Sequence, residues 1–349
     1  MRTYEDLNAT QTWAMGGFGC GNLGDEAIFE AMKLEFPELI QVYVNIPQVG
    51  WDGRSYSLSK SERFVCYSDL IQNGFPQEAQ DGELIIGGGG ILHSYGAVED
   101  FVKVALQAKR RNMKISIRKI GVEYLQPDFH DITKDLCSMA YFISVRSKKS
   151  SEILRSIGIP KVKIEKDYTY NFNRTHFEKE QFDLKFDLKS PVIGIVTAGN
   201  DDISKISEII RYLTVNKDIG IPLCNVVHIP HCRHFVDWVT NDMVAGEILW
   251  SSISVYFGDR LKRYYNAPFP GSVWRLLNLY TKVNGIIGMR YHSFIFSEIL
   301  NIPLLGVSSG EKATAYFEEQ PRKNAIELKS SCSPEELIEK LKKFFEFIK

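Results

Sequence analysis

The amino-acid sequence predicts an α/β protein of two doubly wound domains, and three observations carry that expectation. Short apolar or β-branched runs alternate with amphipathic helical patterns along the 349 residues, the pattern of strand–helix–strand units laid into parallel sheets. The alternation is interrupted once, by the polar stretch NFNRTHFEKEQFDLKFDLKS at 171–190, and then begins again. The chain is also too long for one ordinary compact domain, so two of roughly 150–180 residues are expected. The domains follow as 1–175 and 191–349, with the polar stretch as linker. Two such sheets would face each other across a cleft, since open α/β sheets bind ligands beyond the carboxyl ends of their strands.

In the first half the strand runs are TWAMGGF (12–18), LIQVYVNIP (39–47), ELIIGGGG (83–90), KISIRKIGV (114–122) and YFISVRS (141–147), with helical patterns at 25–35, 97–111, 128–140 and 149–157. The second half offers PVIGIVTAG (191–199), PLCNVVHIP (222–230), ISVYFGD (253–259), GIIGM (285–289) and PLLGVSS (303–309). Its helices fall near 203–216, 235–249, 272–283, 293–300 and 312–319. The last helix, 334–349, has an N-cap serine at Ser333, a helix-compatible proline and a capping-box glutamate at Glu336. Leu337, Leu341, Phe344, Phe345 and Ile348 form one apolar face with lysines opposite. That face is expected to pack back onto the protein, on the N-terminal domain; the Lys/Phe mixture also suits peripheral contact with a membrane surface.

Composition narrows the function class. A formal net charge of −1 gives no footprint for nucleic acid. The six cysteines (20, 66, 137, 224, 232, 332) contain no C-x-x-C pair, which reads as reduced thiols in a cytoplasmic protein. The N-terminus lacks the apolar core of a signal peptide, and no run approaches the ~20 apolar residues of a spanning helix.

The stretch AMGGFGCGNLGDEAI (14–28) contains a literal G-x-G-x-x-G at Gly19, Gly21 and Gly24. A dinucleotide site also needs an acid at the end of the second strand. That strand ends in Asn45, Ile46, Pro47 and Gln48, and Asp25 would repel a pyrophosphate. A P-loop is excluded because no G-K-[ST] follows. Asp25 can instead cap the helix it opens, or Asn22 and Asp25 can present polar atoms to a ligand that the glycines let approach.

GCGNLGDEAI resembles the N-terminal signature of the polysaccharide pyruvyl transferase family, G-N-x-G-D-x-A-I after the first strand. ELIIGGGGILHSYG (83–96) is similar to the family's strand–polyglycine element. GIIGMRYHSFIFSEILNIPLLGVSSGEK (285–312) is similar to its C-terminal R-x-H segment with the strand and lysine that follow, and YFISVRSKKSSEIL (141–154) matches more weakly. Asn301 stands where the family commonly has glycine. The resemblance implies a glycosyltransferase-B-like fold and transfer of a carboxyethylidene group from phosphoenolpyruvate to two hydroxyls of a sugar, giving a cyclic ketal and phosphate. The acceptor would be a glycan or a lipid-linked oligosaccharide, met in the cytoplasm or at the inner face of the membrane. Phosphoenolpyruvate is then a co-substrate, and no cofactor or metal is required.

That chemistry needs a cationic donor site, an acid for C3 and a base for the hydroxyl protons. Arg290 and His292 end an apolar strand where a helix begins, a ready anion site; an imidazole beside a polyanion suits a general acid. Lys312 offers a second cation to the donor phosphate, and Arg146, at a strand end of the other domain, a hand for the donor carboxylate. Arg290 could equally pair with a local carboxylate, and His292 cap a turn. Asp25 is the candidate base; Asn22, Gly88, Gly89 and His93 are candidates for the acceptor.

HIPHCRH (228–234) resembles a metal cluster, but its spacing matches no standard zinc set. His231, at the strand tip, is a further acceptor candidate. The basic run Lys109–Lys114 reads as a solvated helix end. Two other readings stay open: a nucleotide-sugar glycosyltransferase on the same architecture, and a catalytically silent homologue that binds glycan or assists assembly.

Overall fold

A computed structural model describes residues 11–19, 21–43, 64–93, 95–122, 125–184, 190–199, 202–215, 219–233, 239–257, 263–308 and 311–348. The chain divides into two compact units, Met1–Cys20 with Asp25–Asn171, and Gly21–Gly24 with Phe172–Lys349.

In the first unit the elements run β1 (Thr12–Met15), α1 (Leu23–Glu35), β2 (Ile40–Tyr43), β3 (Phe64–Cys66), α2 (Tyr67–Asn73), β4 (Glu83–Gly87), β5 (Gly90–Leu92), α3 (Tyr95–Arg110), β6 (Lys114–Val122), α4 (His130–Met139), β7 (Phe142–Val145), α5 (Lys148–Ser156) and β8 (Lys163–Ile164). The sheet order is β3-β2-β1-β4-β6-β7-β8, with β5 paired to β6. Every pairing is parallel. The first four residues of α1 straddle the division, because Leu23 and Gly24 group with the second unit.

The second unit contributes β9 (Val192–Val196), α6 (Ile203–Thr214), β10 (Asn225–His228), α7 (Asp242–Phe257), β11 (Tyr264–Asn266), α8 (Val273–Tyr280), β12 (Gly285–Gly288), α9 (Tyr291–Ile299), β13 (Leu304–Ser308), α10 (Glu311–Glu319), β14 (Ala325–Lys329) and α11 (Pro334–Glu346). Its order, β11-β10-β9-β12-β13-β14, is again wholly parallel. Counted within each unit, both sheets begin 3-2-1-4, the doubly wound Rossmann order, so the strand direction of winding reverses between β1 and β4 and between β9 and β12. At such a switch point the flanking loops diverge to opposite faces and leave a crevice.

Each sheet has its own core. Trp13, Ile86, Ile117 and Leu136 belong to the first; Ile195, Val226, Ile287 and Leu305 belong to the second. Most expected strands and helices appear within a few residues of their ranges. The run 253–259 does not: the described residues to Phe257 are the end of α7. Ala245, Leu249 and Ile253 are all buried, a four-residue period that belongs to a helix face and outweighs the β-branched composition. The strand is the later YYN of β11, and β3, β8 and β14 were too short or too mixed to signal themselves.

The expected linker is also corrected. Phe177 is fully buried, the Phe182 amide donates to Asn278 Oδ1 at 2.9 Å, and Asn278 Nδ2 donates to the Phe177 carbonyl at 3.0 Å, so residues 172–182 are part of the second unit. Residues 185–189 lie outside the described residues. The terminal helix α11 was expected on the first domain; its buried Leu337, Leu341 and Phe344 instead join the second unit's core. Ser333 caps it as expected, accepting from the Glu336 amide at 3.2 Å. Among the described residues no helix is long and apolar enough to cross a membrane. Leu341→Ala should lower unfolding free energy by about 2–5 kcal/mol, the range for a buried Leu→Ala truncation, read from urea denaturation.

Candidate functional site

At the first unit's switch point, the glycines after β1 and β4 surround Asp25. A Cβ placed on Gly89 would lie 3.0 Å from Asp25 Oδ1, and one on Gly17 3.4 Å from Oδ2. Gly88 and Gly89 have φ of 75° and 76°, a region that favours glycine over residues with a Cβ. The carboxylate is therefore half-buried in backbone, with no side chain from these turns between them. Glu26 is buried, and its Oε1 accepts from the Gly19 amide at 2.6 Å. The cap of α1 is not Asp25 as the sequence suggested: Asn22 Oδ1 accepts the Gly24 amide at 3.1 Å, which leaves Asp25 in the first turn beside the helix's positive end.

Arg146 follows β7 and lies flat on Gly121 of β6, where a Cβ would come within 2.7 Å of Nη2. Its Nη1 donates to Asp167 Oδ2 at 3.1 Å, and the two side chains are 4% and 0% exposed. Asp167 Oδ1 in turn accepts from the Thr169 amide and hydroxyl at 3.0 and 2.8 Å. This is a closed ion pair rather than a hand held out to a donor. His93, after β5, is exposed.

The second unit's cluster stands at the carboxyl ends of β9, β10 and β12. Asp242, fully buried at the start of α7, is its hub. Arg290 Nε donates to Asp242 Oδ2 at 2.8 Å and Nη2 to Oδ1 at 2.6 Å, a two-point fork. Nη2 also reaches the Thr240 carbonyl at 3.0 Å. The amides of His231 and Cys232 donate to Oδ2 at 2.9 Å each, and that of Gly199 to Oδ1 at 2.8 Å.

The turn so fixed carries a segment from the far end of the sequence. Asn22 forms an antiparallel bridge with Cys232. The Leu23 amide donates to the His231 carbonyl at 2.8 Å, and the Arg233 amide to the Gly21 carbonyl at 3.0 Å. Gly24 then lies against His292, so close that a Cβ would fall 2.5 Å from Nδ1. His292 is buried in the first turn of α9 and stacks on Phe296 at 6.0 Å between centroids. The third glycine of the G-x-G-x-x-G thus makes room for an imidazole, while Gly19 and Gly21 have left-handed φ of 83° and 72°.

His231, expected to face a ligand, is fully buried. Its Nε2 pairs with Tyr280 Oη at 2.7 Å and its ring stacks on the same Phe296 at 6.0 Å. Burial, and then the positive charge of Arg290, holds its imidazole well below the ordinary value. His228 is likewise interior, between Thr197 Oγ1 at 3.0 Å and Asn266 Oδ1 at 2.9 Å. Asn266 Nδ2 donates to Glu247 Oε1 at 3.0 Å. That fixes the amide's orientation, so His228 Nδ1 carries the proton and Nε2 accepts from Thr197. Burial lowers its pKa against the opposing pull of Asp242. His234 lies outside the described residues, as does the side chain of Lys312 at the start of α10. Among the described residues, no group of three or more His, Cys, Asp or Glu could hold a metal.

The structure thus brings Asn22, Arg290 and His292 into one unit's cluster, and Asp25, Gly88 and Gly89 into the other's. Asp242, Asp167 and Tyr280 were not anticipated. An Asn-Asp pair ahead of a helix reads as ordinary capping chemistry, and nothing local marks its arginine 48 residues on. Asn301, in place of the family's glycine, has φ of 54°; asparagine tolerates that left-handed turn better than most residues.

Two Rossmann-type units with polar clusters at their switch points define an α/β protein of glycosyltransferase-B type. The chain belongs to the polysaccharide pyruvyl transferase family, whose model matches residues 22–311. Among solved structures it is similar to a Listeria monocytogenes protein assigned as UDP-N-acetylglucosamine 2-epimerase (TM-score 0.63, 10% identity, 97% of this chain and 88% of that one). It is also similar to the UDP-GlcNAc 2-epimerase of Methanocaldococcus jannaschii (0.57, 12%, 97% and 92%) and to S. aureus MnaA in its UDP co-structure (0.59, 11%, 97% and 88%). At these identities the likeness speaks for the fold. Comparison with curated protein sequences returns no significant match.

The interior histidines set a pH dependence. Their folded pKa values lie below the unfolded one of about 6.5. The unfolded chain therefore binds the extra protons, and stability present above that pH is lost as pH falls below it. Thermal melts should show Tm dropping from pH 7 to 5, and less steeply in His231→Gln, whose amide keeps a bond to Tyr280 but cannot titrate.

Proposed function

We propose that this protein transfers a carboxyethylidene group from phosphoenolpyruvate to two hydroxyls of a sugar, in a polysaccharide or its lipid-linked precursor. The observation that carries the reading is the seating of His292 on Gly24. The family's first and last motifs meet there, beside Arg290 at a switch point. Such a meeting is what a site, rather than a shared fold, requires.

The reaction joins both sugar oxygens to C2 of the donor, breaks the C2–O bond to phosphate and adds one proton to C3. Of the two hydroxyl protons released, one balances the proton given to C3 and the other leaves with phosphate. His292 is the acid for C3, placed in the first turn of α9 two residues after Arg290 at the carboxyl end of β12. Asp25, the residue after Gly24, is the base or orienting group for the acceptor. Arg290 and Lys312 receive the donor's charge. Asn22, Gly88, Gly89 and His93 serve the acceptor. Arg146 and His231 drop out of the assignment: a 4%-exposed guanidinium paired with Asp167 and a fully buried imidazole are built into the framework. A phosphoenolpyruvate donor places the reaction in the cytoplasm, with a lipid-linked acceptor at the membrane's inner face.

The test is to incubate the protein with phosphoenolpyruvate and a panel of glycan precursors, reading phosphate release and a mass gain of one carboxyethylidene group. Release with no acceptor gain, or turnover of UDP-sugars instead, would overturn the reading. Once an acceptor is found, His292→Ala should lower kcat by roughly 10²–10⁴ while donor affinity stays within about tenfold. Gly24→Ala, which displaces the ring without removing it, should lower kcat by up to about 10², with the imidazole's NMR resonances shifted.

A further inference from the structure

We infer that Asp242 is the positioning residue of this site, resting on the reading just given: it aims Arg290 at the donor and pins the turn against which Gly21–Gly24 is held. Its carboxylate takes five hydrogen bonds, two from Arg290 and one each from the amides of Gly199, His231 and Cys232. A carboxylate offers about four lone-pair sites, so its accepting capacity is fully used. The Asp242 amide closes the turn by donating to the Cys232 carbonyl at 2.9 Å.

The orientation of Arg290 follows from where it is gripped. Asp242 takes the Nε–Nη2 edge, and the Thr240 carbonyl takes Nη2 again. A guanidinium is planar, so this edge-on grip fixes the whole group and turns Nη1 away from the carboxylate. The same carboxylate orders residues 231 and 232, whose backbone holds residues 21–23 and so sets Gly24 under His292. One buried charge therefore fixes two groups with different tasks in the proposed reaction. Tying down three amides alone needs no net charge in the hub; the guanidinium does.

The distinction from a purely structural role is testable in the full chain with Asp242→Asn, Arg290→Ala and the double variant. Thermal melts first set a temperature at which each is folded. In phosphate-release assays D242N should raise the KM for phosphoenolpyruvate roughly tenfold with a smaller change in kcat. R290A should do the same, and the double variant should be no worse than R290A. Millimolar guanidinium should restore R290A, because Asp242 can still seat the free cation, and should fail to restore the double variant.

A lower Tm with KM within about twofold of wild type, additive effects, or equal rescue of both variants would each overturn the positioning role. Should D242N fail to fold, Arg290→Lys decides: it keeps the charge without the two-point grip, and must show the KM rise, whereas an unmoved KM refutes the inference. A wild type that never releases phosphate from phosphoenolpyruvate defeats the functional reading and this one with it. A working wild type beside an unmoved variant defeats this one alone.

Discussion

The second unit's cluster depends on a charge that has been taken out of water. Burying a carboxylate is costly unless it is paired and hydrogen-bonded, and Asp242 meets both conditions with five donors. Removing any partner leaves the others facing an under-satisfied anion, so the arrangement of Arg290, the 231–233 turn and Gly199 is strongly coupled. The Arg146–Asp167 pair repeats the solution on a smaller scale in the first unit, with Thr169 completing the carboxylate's shell. In both places the arginine is held at the carboxyl end of a parallel strand, where loops alone would leave it mobile.

The winding of the sheets explains why these ends matter. Reversal between β1 and β4 opens the space in which Asp25 is wrapped by Gly17 and Gly89. Reversal between β9 and β12 does the same for Gly199, Arg290 and His292. A backbone that must approach a side chain this closely cannot carry a Cβ, so the glycines are consequences of the site's geometry. The glycines of the N-terminal motif do not share one purpose: Gly19 takes a left-handed φ of 83°, while Gly24 makes room for a ring.

Much of this was legible beforehand. Strands buried on both faces announce themselves by continuous apolar runs such as the VIGIV of β9, and the more mixed β6 matched its range of 114–122 residue for residue. Local chemistry also located Arg290 and His292 at a strand-to-helix junction. What the sequence could not display was pairing at a distance. The carboxylate that pairs with Arg290 lies on α7, 48 residues away in the sequence, and His231 looked exposed because a strand tip commonly is. Tyr280 and Phe296, which enclose His231, sit on helices whose inward faces read simply as core. Only the end of α7 departs from its expected helix at 235–249, for a related reason: the β-branched residues from Ile253 on suit a strand, and the burial of Ala245, Leu249 and Ile253 on one face reveals the helical period.

The imidazoles show how environment separates residues of one type. His228 and His231 are fully buried, and burial lowers the pKa of both imidazoles. His292 shares the Phe296 ring with His231 and, in the first turn of α9, also lies against Gly24. A helix N-terminus favours negative charge nearby, which distinguishes that turn of α9 from the surroundings of the two interior rings. Burial first, then the charges of Arg290 and His292, lower the His231 pKa, so the cluster at the carboxyl ends of β10 and β12 is electrostatically coupled to that interior ring, and Phe296 touches both imidazoles.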